Sequence, residues 1–193
     1  MSAYSEMVSA LLRELEGSLR SVNEDELNAL RGAILQARRI FLAGRGRSGL
    51  QMRAFAMRLM HLGLSVYVVD DVTTPGIAGG DLLLLGSGSG RTASLVGHAR
   101  RAKELGATVA LITIADASPT GKASPIGECA DHVVQVRAWT PKLERADDFR
   151  SVQPMGSLFE QTLGLLLDLL VVQLMADLGV TPAEMFARHA NLE

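Results

Sequence analysis

Residues Asp81 to Thr92 read DLLLLGSGSGRT, and no other stretch constrains the fold of this chain as tightly. Four consecutive leucines closed by small residues predict a strand buried on both faces. The Gly86-Ser87-Gly88-Ser89-Gly90 loop must then lead into a helix beginning near Thr92. Glycines let backbone N–H groups turn inward, Ser87, Ser89 and Thr92 add hydroxyls, and the helix N-terminus adds partial positive charge. A phosphate is the best-matched guest for such a loop. A ligand-free βα turn is the alternative reading of the same residues.

The rest of the chain alternates in the same way. Val8, Leu11, Leu12, Leu15 and Leu19 recur at helical spacing, and Asn23 with Glu26 three positions later has the pattern of a capping box for a second helix. Strands are predicted at Arg39 to Ala43, Ser65 to Val69, Thr108 to Ile114 and His132 to Val136, beside the leucine strand. Asp70 to Gly80 reads as a loop, Ala115 to Gly127 as turn-rich, and Ala138 to Gly156 as irregular and mobile. A long helix runs from Ser157 to about Leu178, and Thr181-Pro182-Ala183-Glu184 combines a capping box with proline at the first helical position.

These elements predict an α/β fold, a doubly wound, flavodoxin-like arrangement with a five-stranded parallel sheet and helices on both faces. One domain spans 1–193, with N-terminal helices over 4–37, the α/β core over 38–137 and C-terminal helices over 157–190. With strand order 2-1-3-4-5, the loop after the first strand, Gly44-Arg45-Gly46-Arg47-Ser48-Gly49, and the Gly86–Gly90 loop flank one crevice at the carboxyl edge. GRGRSG also matches the G-x-G-x-x-G dinucleotide fingerprint, with Asp70 after the next strand as the ribose partner. Arg45 and Arg47 oppose that reading, because long side chains stand where a pyrophosphate must approach the backbone. A second domain to carry a substrate is missing as well.

A net charge of −2 gives no electrostatic footprint for nucleic acid or an anionic membrane. Cys129 is the single cysteine, so no internal disulfide or cysteine-based metal site is expected, and it reads as a small apolar side chain. The polar start after Met1 lacks the pattern of a secretory signal, which predicts a cytoplasmic protein. Leu158 to Met175 is very apolar but carries Glu160, Gln161, Asp168 and Gln173, and reads as a core helix. A hydrophobic content of 48% predicts apolar surface buried between subunits.

GRGRSG after the first strand, GSGSGRT after the third and the closing RHANLE together resemble the sugar isomerase (SIS) domain. FAMRLMHLG, Thr73-Thr74-Pro75 and RHANLE are similar to its 6-phospho-3-hexuloisomerase branch. Members of that branch interconvert arabino-3-hexulose 6-phosphate and fructose 6-phosphate through a 2,3-enediol in the ribulose monophosphate pathway. Arg45 departs from the smaller residue often found there. The resemblance implies that Ser87, Gly88, Ser89, Gly90, Arg91 and Thr92 bind the phosphate and that Arg47 and Ser48 contact the sugar chain or phosphate. It further implies that Glu160 is the enediol base and that His189 approaches a neighbouring subunit's site in a homotetramer. No metal or redox cofactor is expected.

Local readings of the same residues stay open. Ser157-x-x-Glu160 is itself a capping-box pattern, and His189 near a helix end reads equally as a solvated dipole partner. His61 is left out of the catalytic set for the latter reason. An arabinose 5-phosphate isomerase and a non-catalytic sugar-phosphate sensor are the other functions considered. Asp70-Asp71 stands where the former usually has a His-Pro pair, and no basic helix-turn-helix precedes the first strand as in the latter.

Overall fold

Alternation within continuous apolar strands decides how the layers assemble. The computed structural model describes residues 2–114, 124–143 and 149–192. Helices α1 (Ala3–Arg20) and α2 (Glu24–Gln36) precede β1 (Ile40–Gly44), α3 (Gly46–His61), β2 (Val66–Val68), β3 (Leu82–Gly86) and α4 (Ala93–Glu104). β4 (Thr108–Ile114), β5 (His132–Val136), α5 (Ser157–Leu178) and α6 (Pro182–Ala187) follow. The sheet is parallel throughout, as the sequence predicts, and its order is β2-β1-β3-β4-β5, the one on which the shared crevice depends. Leu82 and Leu84 face one layer with Ile40, Leu42, Ala110 and Ile112, against α2, α3 and α5. Leu83 and Leu85 face the other with Phe41, Val109 and Leu111, against Leu95, Ala99 and Ala102 of α4. Two buried faces explain why the strand needs four leucines in a row.

Local chemistry sets most boundaries. Ser2 and Asn23 cap α1 and α2, and Thr181 with Glu184 forms the expected capping box on α6. The box expected at Asn23 is only half formed. Asn23 Oδ1 accepts from Asp25 and Glu26 N–H, while the Glu26 carboxylate accepts from Gln135 N–H of β5 at 3.0 Å. An edge-strand N–H thus takes the oxygen that would have closed the box. Of the segment expected to be turn-rich, 115–123 lie outside the described residues. So do 144–148 of the segment expected to be irregular and mobile, whose described flanks are irregular and, at 151–153, fastened to α1.

α5 is long and apolar enough to cross a bilayer, by length and composition alone. One face, including Leu163, Leu167, Leu170 and Leu174, is buried in the core, which agrees with the sequence reading. The opposite face leaves Leu165, Leu169 and Val172 exposed. It is therefore a core helix on one side only.

At the sheet's amino edge, Asp81 is buried and accepts hydrogen bonds from Arg38, Arg39 and the Ala78 N–H. Burial alone would raise its carboxyl pKa, but these bonds outweigh it and hold the value at about 2. Asp81 thus favours folding at any pH above its unfolded pKa, about 4, and loses that contribution as pH falls through about 2. Asp81→Asn should lower stability at pH 7 by about 3 kcal/mol and flatten the acid limb of unfolding between those values. Urea midpoints at pH 7 and pH 3, followed by circular dichroism, check this. Unchanged midpoints would contradict it.

Candidate active site

The carboxyl ends of β1 and β3 open into a cleft of about 400 Å³. Arg45, Arg47 and Ser48 line one side, and Ser87, Gly88, Ser89 and Thr92 the next. Thr140, Pro141, Lys142 and the Pro154–Glu160 stretch complete the wall. The sequence reading missed Lys142 and Pro154 to Gly156. They come from irregular chain with no periodicity, and only the position of 154–156 just before α5 hinted at them.

Close packing and a tight turn shape the two loops. A side chain at Gly44 or Gly49 would collide with the other's backbone at 2.8–2.9 Å, so the start of α3 sits directly on the end of β1. At Gly90 the backbone is left-handed (φ +61°), and its N–H donates to the Ser87 hydroxyl oxygen at 3.2 Å. That bond leaves the Ser87 O–H free to donate. Gly90 and Arg91, expected among the phosphate ligands, do not line the cleft. Gly90 makes the turn, and Arg91 faces an adjoining cavity of about 90 Å³ bordered by Thr113 and Ser124.

The helices meeting at the cleft differ from the others at their starts. α3, α4 and α5 all begin there, and none has a side-chain cap, whereas α1, α2 and α6 are capped by their own Ser, Asn or Thr. N–H groups without side-chain partners and three dipole ends therefore converge on one space, an arrangement suited to an anion. Thr92, the N-cap residue of α4, spends no side-chain bond on its own helix.

Glu160 faces this space too. The capping-box reading of Ser157 and Glu160 does not hold, because Gly156 is the N-cap and Ser157 is already the first helical residue. The Glu160 carboxylate instead accepts a 2.5 Å bond from Arg47 Nε across the cleft, tying α5 to α3. Glu160 is mostly shielded, at 18% side-chain exposure, and Arg47 is open, at 61%. Arg47 can therefore turn towards a ligand while the carboxylate stays fixed. Beside Arg47 at the start of α3, Arg45 pairs with Asp70 at 2.6 Å and with Ser94 at 3.0 Å. The carboxylate that a dinucleotide ribose would need is thus already engaged, which removes support from that reading.

His189 stands apart from the cleft. It stacks on His61, with ring centroids 5.5 Å apart, and on Phe186, while Arg188 Nη1 donates to the His61 carbonyl at 2.8 Å and fastens the tail to the end of α3. The 16 residues of α3 separate that end from the cleft by about 22 Å. Burial, then Arg58 and His189, lower the pKa of His61. Within one chain His189 and Glu160 do not meet. Among the described residues no group of three His, Cys, Asp or Glu could hold a metal ion.

The SIS domain family matches residues 33–162. The chain is 42% identical over 189 residues to the 3-hexulose-6-phosphate isomerase of Bacillus subtilis, covering 98% of both chains. It is 40% identical over 188 residues to the enzyme of that name from Mycobacterium gastri, covering 96% of this chain and 89% of that one. Among solved structures, a Methanococcus jannaschii protein superposes with a TM-score of 0.79 at 32% identity, covering 97% of this chain and 99% of the other. Its structure was described as inferring a molecular function of 3-hexulose-6-phosphate isomerase.

Proposed function

From the premise that this chain belongs to the SIS domain family and is an isomerase, we propose that its cleft interconverts arabino-3-hexulose 6-phosphate and fructose 6-phosphate. The observation that carries the reading is the pairing of an anion cradle with a shielded carboxylate in one cleft. In this proposal the phosphate docks at Ser87, Gly88, Ser89 and Thr92 against the start of α4. Arg47 and Ser48 then contact the sugar chain, and Arg47 leaves Glu160 as it does so.

The chemistry is a carbonyl shift from C3 to C2. Glu160 takes the C2 proton, the electron pair forms the C2–C3 double bond of an enediol, and the O3 carbonyl oxygen gains a proton. Collapse of the enediol returns a proton from Glu160 to C3, while O2 loses its proton and becomes the carbonyl. The net change is zero, so one carboxylate suffices for the carbon transfers, at roughly 10²–10⁴-fold rate advantage. The proton exchanged between the oxygens falls to His189 of another subunit, which could also open the fructose ring in the reverse direction.

A homotetramer belongs to the same proposal. The exposed Leu165, Leu169 and Val172 of α5, with Tyr4, Met7 and Leu12 of the neighbouring α1, support burial against other copies.

Side-by-side kinetics test the substrate assignment. With 3-hexulose 6-phosphate, kcat/KM should exceed that for arabinose 5-phosphate by at least about 10²-fold. The opposite ranking would transfer the reaction to the pentose phosphate. Tight binding of both with turnover of neither would make the protein a sensor.

A further inference from the structure

One wall of the cleft is held from the far side of α5, by the first helix of the chain. Thr140, Pro141 and Lys142 enter the cleft after β5, and Pro154, Met155 and Gly156 enter it before α5. Both ends of this excursion are tied to α1. At the β5 end, the Ser18 hydroxyl donates to the Arg137 carbonyl, and the Arg137 N–H donates to Ser21 Oγ at 2.8 Å. At the α5 end a single carboxylate gathers the chain. Glu14 Oε1 accepts from Val152 N–H at 2.7 Å, and Oε2 accepts from the Ser151 hydroxyl at 2.7 Å and from Gln153 Nε2 at 3.4 Å.

The network does not stop at the loop. Gln153 is buried, and its Oε1 accepts from Gln161 Nε2 at 2.7 Å, so the chain of bonds reaches the residue next to Glu160. Between the tied segment and α5, Met155 is held in the left-handed region at φ +56° while lining the cleft. A methionine keeps such a backbone only where its surroundings impose it. Glu14 bonds the three residues 151–153, just before Pro154, from outside the cleft.

We infer that Glu14 is a positioning residue: through Ser151, Val152 and Gln153 it fixes the 154–156 wall and the start of α5, and with them the placement of Glu160 against the substrate. The inference rests on the reaction proposed above. Glu14 touches no reacting atom, and the phosphate cradle at Ser87 to Thr92 is carried by the loop between β3 and α4, which none of these Glu14 bonds reaches. Loss of Glu14 therefore loosens the 154–156 wall and the start of α5, and leaves the hydroxyls and N–H groups of the β3–α4 loop, which do most of the phosphate binding, in place. The effect falls on kcat, since misplacing a base lowers the rate without removing phosphate binding.

The test uses Glu14→Ala, Glu14→Gln and Gln153→Ala in the full chain. Amide hydrogen exchange over 151–156 should quicken by about tenfold in Glu14→Ala, a readout independent of any substrate. Its kcat on 3-hexulose 6-phosphate should fall about tenfold, with KM and the affinity for inorganic phosphate within about threefold of wild type. Glu14→Gln keeps an oxygen for the Val152 N–H and should restore most of kcat. Gln153→Ala should reproduce the kcat loss, and decides the matter if Glu14→Ala does not fold. Unchanged exchange overturns the inference. So does a lowered melting temperature with wild-type kcat, or full kcat in Gln153→Ala. An inactive wild type would instead overturn the reaction, leaving the exchange result to judge Glu14.

Discussion

Glu160→Gln should bind inorganic phosphate as tightly as wild type and lose about 10³-fold in kcat. Glutamine keeps the shape and an oxygen that can still accept from Arg47 Nε, so the link between α3 and α5 survives. What it lacks is a basic oxygen to take a proton from carbon. The phosphate cradle is built from Ser87, Gly88, Ser89 and Thr92 and does not depend on that carboxylate. Binding and turnover must therefore separate in this variant. Isothermal titration with phosphate beside steady-state kinetics measures both, and near-normal turnover would remove Glu160 as the base.

His189→Ala should be inactive by itself, by about 10²-fold, and should regain activity when reassembled with Glu160→Gln. The reason is distance. His189 sits at the His61 end of α3, about 22 Å from the cleft of its own chain, so the proposed reaction needs its side chain to come from a different subunit. In a random mixture a productive cleft needs its own Glu160 and a donated His189, and about a quarter of clefts satisfy both. Co-refolding the two variants in equal amounts should bring activity to about that share of wild type. Full activity of His189→Ala alone, or no recovery on mixing, would contradict donation between subunits.

The parts of the fold legible in the sequence are those where one local pattern has one physical solution. β4, β5 and α5 begin and end where the apolar runs and the Gly179 stop place them, and the parallel sheet follows from alternating strands and helices, whereas its order 2-1-3-4-5 is a condition that the alternation alone does not fix. The Ser87 and Ser48 loops reach one cleft because parallel strands put their loops at one edge. Spacing could not reveal partners far apart in sequence. Glu26 bonds β5 instead of its own helix start, and Glu160 bonds Arg47, 113 positions away, instead of capping α5. Capping boxes are local patterns, and a distant donor in better position overrides them. Arg91 shows the same limit at shorter range, since the turn at Gly90 carries it past the cleft. The wall at Lys142 and Pro154 to Gly156 had no periodicity to announce it, and its anchor on Glu14 lies 138 positions from Val152 in the chain.

The central claim is enediol chemistry at a sugar phosphate in this cleft, and proton exchange at carbon tests it most directly. Fructose 6-phosphate is incubated with the protein in deuterium oxide, and deuterium at C2 and C3 is followed by NMR. The account predicts a 3-ketose that carries deuterium at C2, and deuterium entering C3 of the remaining fructose 6-phosphate, with both signals absent in Glu160→Gln. Folded protein that binds the sugar phosphate and leaves its carbon-bound protons untouched would contradict it.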